Sequence, residues 1–203
     1  MSRIWFSADS HFGHKNIINY CDRPFSSVAE MDGEMIENWN EVVAPEDEVY
    51  HLGDFSLDFK RMRQIVPLLR GHIHLIAGNH DLCHSSRPAA GSQASHYKEC
   101  GFVDVCQSKN ISINGTEVLL SHLPYYSLTD PDTRYQELKP NDEGLWLLHG
   151  HVHQRWKVMD RQINVGVDVW DFYPVSQAEI ARIISGHNLK NEDSKAQDSL
   201  SFS

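Results

Sequence analysis

The stretch His72-Ile73-His74-Leu75-Ile76-Ala77-Gly78-Asn79-His80-Asp81 decides the fold. Its first six residues form a short, largely apolar run of strand length. The next four are poor continuations of a buried strand and good loop formers. A strand that breaks off into Gly-Asn-His-Asp delivers polar side chains to one edge of a sheet. In layered α/β folds the carboxyl ends of strands are where ligand sites assemble.

Outward from that stretch the same punctuation recurs. Arg3-Ile4-Trp5-Phe6-Ser7-Ala8 runs into Asp9-Ser10-His11, and Glu48-Val49-Tyr50-His51-Leu52 into Gly53-Asp54. Glu117-Val118-Leu119-Leu120 runs into Ser121-His122, and Leu145-Trp146-Leu147-Leu148 is followed closely by Gly150-His151-Val152-His153. Any one block alone is an ordinary turn. Five in order, each behind a strand, predict convergence on one sheet edge. Carboxylate oxygen, imidazole nitrogen and an amide oxygen, with no thiolate among them, suit manganese, iron, cobalt, nickel or zinc better than calcium. Asp9 and His11 are two apart, so if both join one site the segment is extended there or is leaving its strand. His151 and His153 repeat that spacing.

Between the blocks, helices and strands alternate. Val28 to Val43 carries Met31, Met35, Ile36, Trp39, Val42 and Val43 near helical spacing, and Asp58 to Leu69 does the same with Phe59, Met62, Ile65, Val66 and Leu69. Asn114-Gly115 between two strand-like runs signals a hairpin. A second hairpin is expected where Asp160-Arg161-Gln162 joins two further runs. The prediction is an α/β fold, a two-sheet α/β/β/α sandwich of one domain over residues 1–187, with a polar, disordered tail over 188–203. Cys83 to Ser95 and Pro124 to Gly144 read as long loops that select the substrate.

D-x-H, GD, GNHD, H and GHxH in this order resemble the calcineurin-like metallophosphoesterase superfamily. Asp9 to Ile18 and Asn164 to Trp170 are similar to a compact bacterial and phage subgroup of it. The resemblance implies that Asp9, His11, Asp54 and His153 bind one metal and that Asp54, Asn79, His122 and His151 bind a second. Asp54 would bridge the two divalent ions, with Mn²⁺ favoured over Fe, Zn, Co or Ni. It further implies that His80 protonates the leaving group or steadies the phosphate, and that Asp81 orients His80. Two cations about 3.5–4 Å apart acidify a bridging water and hold phosphoryl oxygens for in-line attack, so no protein nucleophile is required. Many relatives place a second aspartate three residues after the bridging one, whereas here the next carboxylate, Asp58, comes four residues later. The GDxVDRG and GNHE signatures of protein serine/threonine phosphatases are absent, which disfavours a phosphoprotein substrate.

The expected activity is hydrolysis of small phosphodiesters, nucleotides among them. Phosphomonoesterase or nucleotide pyrophosphatase chemistry at the same site is the alternative, and a metal-bound protein-interaction scaffold is the alternative of another class. His14 and Lys15, just past the first block, are candidates to reach a substrate phosphate. Arg23, Arg87 and Arg134 are candidate phosphate clamps, and Tyr125 and Tyr126 candidate pocket walls. His51 and His149 are candidate partners that orient the ligands from behind.

A formal net charge of −10 over 203 residues disfavours long nucleic acids, whose binders carry basic patches. No apolar stretch reaches membrane-spanning length, and the amino terminus enters a strand directly, so a cytoplasmic enzyme is expected. Cys21, Cys83, Cys100 and Cys106 lack paired or zinc-like spacing and read as free thiols. Trp5, Trp146, Trp156 and Trp170 fit a core or an interface equally, so the sequence sets no oligomeric state.

Overall fold

A computed structural model describes residues 2–88, 90–126 and 134–187. In chain order the elements are β1 (Ile4–Ser7), α1 (Lys15–Tyr20), α2 (Val28–Val42), β2 (Glu48–His51), α3 (Phe59–Ile65), β3 (His72–Ile76) and α4 (Ala90–Cys100). There follow β4 (Asp104–Cys106), β5 (Ser108–Ile113), β6 (Thr116–Ser121), β7 (Trp146–His149), β8 (Val158–Met159), β9 (Gln162–Asn164) and β10 (Val175–Ser176). Residues 177–187 form α5. Every strand read from the sequence is present.

Local chemistry sets the helix boundaries. Ser27 caps α2 by accepting the Glu30 N–H, while the Glu30 carboxylate accepts the Ser26 N–H at 2.7 Å. Met31, Met35 and Trp39 then form one buried stripe at a spacing of four. Asp58 caps α3 by accepting the Arg61 N–H at 2.7 Å, which occupies the extra carboxylate away from the ligand blocks. The helix expected to reach Leu69 tightens into a 3₁₀ turn over Val66–Leu68, because Pro67 has no N–H to continue an α-helix.

The strands make two five-stranded sheets, in the orders β10-β1-β2-β3-β4 and β5-β6-β7-β9-β8. β1 to β4 are parallel, as are β6, β7 and β9, so their carboxyl ends line up. Both expected hairpins form: β5 pairs with β6 across Asn114-Gly115, and β8 with β9. Alternation along β1 divides the core. Trp5 turns outward to the layer containing Met31, Trp39, Met62 and Tyr97 of α2, α3 and α4. Phe6 turns inward to Val118, Leu120 and Leu148 of the second sheet, where α5 adds Ile180 and Ile184. The sheets meet at their carboxyl edges, where Ala8 bridges Gly166 and the Val167 N–H donates to the Ala8 carbonyl at 3.0 Å.

One loop is shorter than expected. Cys83 to Ser95 reads as loop, but α4 begins at Ala90; it buries only Tyr97 and Cys100, so its pattern carries no helical periodicity. Within the Pro124 to Gly144 segment, residues 127–133 lie outside the described residues, as does the expected tail over 188–203.

Candidate metal centre

The five blocks converge on one edge, and the backbone bends sharply to achieve it. Asp9 (φ 56°), His11 (φ 50°), Asp54 (φ 55°), His151 (φ 70°) and His153 (φ 49°) all occupy the left-handed region, which non-glycine residues rarely adopt. Such conformations cost of order 1–3 kcal/mol each and persist only when the surroundings impose them. Here the surroundings are the other loops. Asp9 N–H donates to Gly53 O and His11 N–H to Asp54 O, each at 3.0 Å, which docks the first block on the second. The Asp9 carboxylate accepts the His151 N–H at 2.8 Å, and the Asp54 carboxylate accepts the His80 N–H at 2.8 Å. The glycines permit this closeness: a Cβ on Gly53 would lie 2.5 Å from the Gly78 backbone, and one on Gly150 would strike the Asp9 carboxylate.

Side chains complete the cluster. The Asp54 Oδ2 lies 3.7 Å from His11 Nε2, 3.5 Å from His122 Nε2 and 4.0 Å from His80 Nε2. Donor atoms of Asp9, His11 and His153 lie within 4.8 Å of one another, as do those of Asp9, Asp54 and His122. The Asn79 Oδ1 sits 2.9 Å from both His122 Nε2 and His151 Nδ1. His122 Nδ1 faces the Leu52 carbonyl at 2.7 Å; a carbonyl only accepts, so Nδ1 carries a proton and Nε2 is the nitrogen turned toward Asn79 and Asp54. His153 Nδ1 is tied in the same way to Asp168 Oδ2 at 2.8 Å.

The electrostatics call for cations. Asp9, Asp54 and Asp81 are all buried. Burial, Asp54 and Asp168 push the Asp9 carboxyl up, against the pull of His153 and His122. Burial and Asp54 push Asp81 up to about 7. Burial lowers His153, yet Asp9 and Asp168 outweigh it and carry this imidazole to about 11. Burial, His153 and Arg23 drive His11 well below its ordinary range. Asp9 Oδ1 and both ring nitrogens of His11 are buried with no hydrogen-bond partner among the described residues. Buried polar atoms are left unsatisfied at a cost unless something else meets them. A shell of carboxylate oxygens, imidazole nitrogens and one amide oxygen fits divalent transition metals.

The chain matches the model of the calcineurin-like phosphoesterase superfamily domain over residues 3–174. It belongs to that superfamily. An uncharacterized protein of Methanocaldococcus jannaschii is 35% identical over 194 residues, 91% of this chain and 92% of that one. The gene 66 protein of Mycobacterium phage D29 is 34% identical over 190 residues, covering 87% of this chain and 94% of the phage protein. A crystal structure of a protein of unknown function from Aquifex aeolicus superposes with a TM-score of 0.70 at 29% identity, covering 90% of this chain and 100% of that one. The superfamily binds divalent metals and hydrolyses phosphate esters, and its two-sheet α/β sandwich is the fold seen here.

Among the described residues, no helix is long and apolar enough to cross a membrane. All seven expected ligands lie at the convergence, and His80 and His14 line the cleft above it with Ile17, Tyr20, Arg134 and Arg155. Four other expectations are corrected. Asp81 Oδ2 accepts the N–H groups of Asp54 and Gly78, each at 2.8 Å, and its Oδ1 has no partner. It therefore fixes the Asp54 loop and makes no hydrogen bond to His80. Arg23 is buried beneath the site, where it bonds Asp168 at 2.7 Å and the carbonyls of Asp9 (2.7 Å) and Ser10 (3.0 Å), so no donor is left for substrate. Lys15 is exposed and lines a different cleft with Ile18 and Phe25. Tyr125 is buried, its hydroxyl spent on the Leu145 carbonyl at 3.0 Å.

The supporting histidines behave as structural parts. Burial lowers His51 and His149 to about 3, so both are neutral. His51 bonds the Ser10 hydroxyl at 2.8 Å between Asp9 and His11, and His149 donates to the Gly150 carbonyl at 2.7 Å. One N–H of the exposed Arg87 guanidinium donates to the Asn79 carbonyl at 3.0 Å. Sequence reasoning missed Asp168 and Asn164. The Asn164 amide donates to His153 O at 2.7 Å and to Trp156 O at 3.0 Å, shaping the loop that carries His153. The signal lay in polar residues interrupting the apolar run Ile163 to Val169.

Proposed function

We propose that this chain hydrolyses small phosphodiesters with two divalent cations, Mn²⁺ favoured, one held by Asp9, His11, Asp54 and His153 and the other by Asp54, Asn79, His122 and His151. The observation that carries the reading is the central place of Asp54. Its Oδ2 lies 3.7 Å from His11 and 3.5 Å from His122, on either side. Donors that share a cation at about 2.0–2.2 Å are themselves roughly 3–4 Å apart, so one carboxylate can serve both sets. The cations, when bound, supply acidified water and a positive clamp on the phosphoryl group.

The protein's part is positional and acid–base. Leu52 and Asp168 orient the rings of His122 and His153, and Asp81 and Arg23 hold the loops of Asp54 and Asp9. His80 is half-exposed in the cleft, with its backbone tied to Asp54 and its Nε2 4.0 Å from Asp54 Oδ2. Its role in this reading is to donate a proton to the departing ester oxygen, a contribution worth typically 10²–10⁴-fold. The cleft opens to solvent over about 370 Å³, which suits a small ester.

The test is hydrolysis of bis-p-nitrophenyl phosphate beside p-nitrophenyl phosphate by metal-stripped protein refilled with Mn²⁺, with Asp54→Ala as control. Expected are two ions per chain, faster cleavage of the diester, and neither binding nor turnover in the variant. Metal-independent cleavage or one ion per chain would refute the two-cation assignment; two ions with no turnover on either ester would favour the scaffold.

A further inference from the structure

Tyr20 is the most exposed large hydrophobic side chain among the described residues, at 69%, yet it stands on the wall of the candidate metal cleft. Singly exposed hydrophobics are ordinary on a protein surface; one at the mouth of a catalytic cleft has a surface to offer. Its surroundings hold it in place. α1 is anchored by buried Ile17, and the Cys21 N–H closes the helix on the Ile17 carbonyl at 3.0 Å. The rings of Tyr20 and His14 meet edge to face with centroids 6.3 Å apart, and His14 in turn lies 5.6 Å from His11. A continuous ring-lined wall therefore leads from the metal ligands to solvent. Val152 and Arg155, from the loop that carries His151 and His153, line the same cleft.

We infer that Tyr20, backed by His14 and Ile17, seats a planar ring carried by one ester substituent of the substrate. The inference rests on the phosphoesterase reading and adds a specificity determinant to it. A tyrosine with two rotatable bonds loses little entropy when covered and offers a flat face to any aromatic group, whatever its hydrogen-bonding edge. The substrate class is thus an aryl or heteroaryl phosphodiester, in preference to an alkyl one.

The experiment is calorimetric titration of the Mn²⁺-loaded full chain with phenylphosphonate and with methylphosphonate, which share the anion, differ in the ring and cannot be hydrolysed as esters. Phenylphosphonate is expected to bind about fivefold tighter, in line with a single exposed stacking contact. Tyr20→Phe keeps that ratio. Tyr20→Leu, which retains apolar area without a flat face, brings the ratio close to one while leaving methylphosphonate affinity unchanged. Equal binding of the two phosphonates by the wild-type protein, or a ratio that survives in Tyr20→Leu, overturns the seat. If neither phosphonate binds the loaded wild-type protein the seat is overturned, and cleavage of bis-p-nitrophenyl phosphate by the same preparation decides whether the phosphoesterase reading falls with it.

Discussion

Replacing Gly53 with alanine separates two costs when it is read against the same change at Gly115. Both glycines have left-handed backbones, φ 91° and φ 82°. An L residue in that region costs roughly 1–2 kcal/mol. A Cβ on Gly115 meets open space, so Gly115→Ala should lose about that much and nothing further. A Cβ on Gly53 would lie 2.5 Å from both the Cα and the N of Gly78 and 2.7 Å from His122 Nδ1. Two of those neighbours are backbone, which cannot swing aside, so the loops must part. Overpacking of this kind adds about 1–3 kcal/mol, which brings the loss in Gly53→Ala to roughly 2–5 kcal/mol. The third neighbour gives the change a functional edge. Moving His122 breaks its 2.7 Å bond to the Leu52 carbonyl, and loss of such a support commonly costs 10–100-fold in metal affinity. Urea unfolding of the metal-free proteins reads the first effect, and Mn²⁺ titration by calorimetry the second. Equal midpoints for the two variants, with Mn²⁺ binding unaltered in Gly53→Ala, would refute the packing argument.

His80→Ala should retain both metals by elemental analysis while losing about 10²–10⁴-fold in kcat on alkyl esters and far less on nitrophenyl esters; unchanged turnover on poor leaving groups would remove it from the mechanism. Asp168→Asn leaves the buried Arg23 guanidinium without its counter-charge, so a loss of about 3–5 kcal/mol is expected in urea unfolding, together with weaker metal binding through His153. Asp47 supplies a pH test away from the metals. Burial alone would raise its carboxyl, but the N–H groups of Arg3 and Ala44, the Trp5 indole and the Arg3 guanidinium hold it below the ordinary range. A carboxyl depressed on folding stabilises above its unfolded value of about 3.9, and that contribution is lost as pH falls through the folded value. The gap in urea midpoint between wild type and Asp47→Asn should therefore be full at pH 6 and close below pH ~4; a gap that widened in acid would contradict the sign.

The strands and ligand blocks were legible because both depend on local order: an apolar run, then a polar break, repeated. Gly-Asn-His-Asp names the residues at a turn, but it does not say which groups their side chains meet. Asp81 shows the difference, since its carboxylate serves the backbone amides of Asp54 and Gly78 although His80 is its neighbour in sequence. Arg23 shows it over distance. Its partner Asp168 is 145 residues away, a pairing no local pattern contains, so a loop arginine read as a phosphate clamp turned out to be a strut. α4 was missed for the opposite reason. It packs by Tyr97 and Cys100 alone, too few contacts to leave a period in the sequence.

The seam between the two sheets runs through the candidate donor set. Asp9, His11, Asp54 and Asn79 follow strands of the first sheet; His122, His151 and His153 follow strands of the second. On the proposed two-cation reading, a chain in which only one sheet has formed would offer neither ion a full complement, so strong cation binding would belong to the docked sandwich and to no smaller part of it. By linkage, a divalent cation bound there would act as a folding ligand, and each tenfold excess over its dissociation constant would add about 1.4 kcal/mol to the native state. On that reading the supply of metal would set how long the two halves stay together as well as how fast the proposed hydrolysis runs.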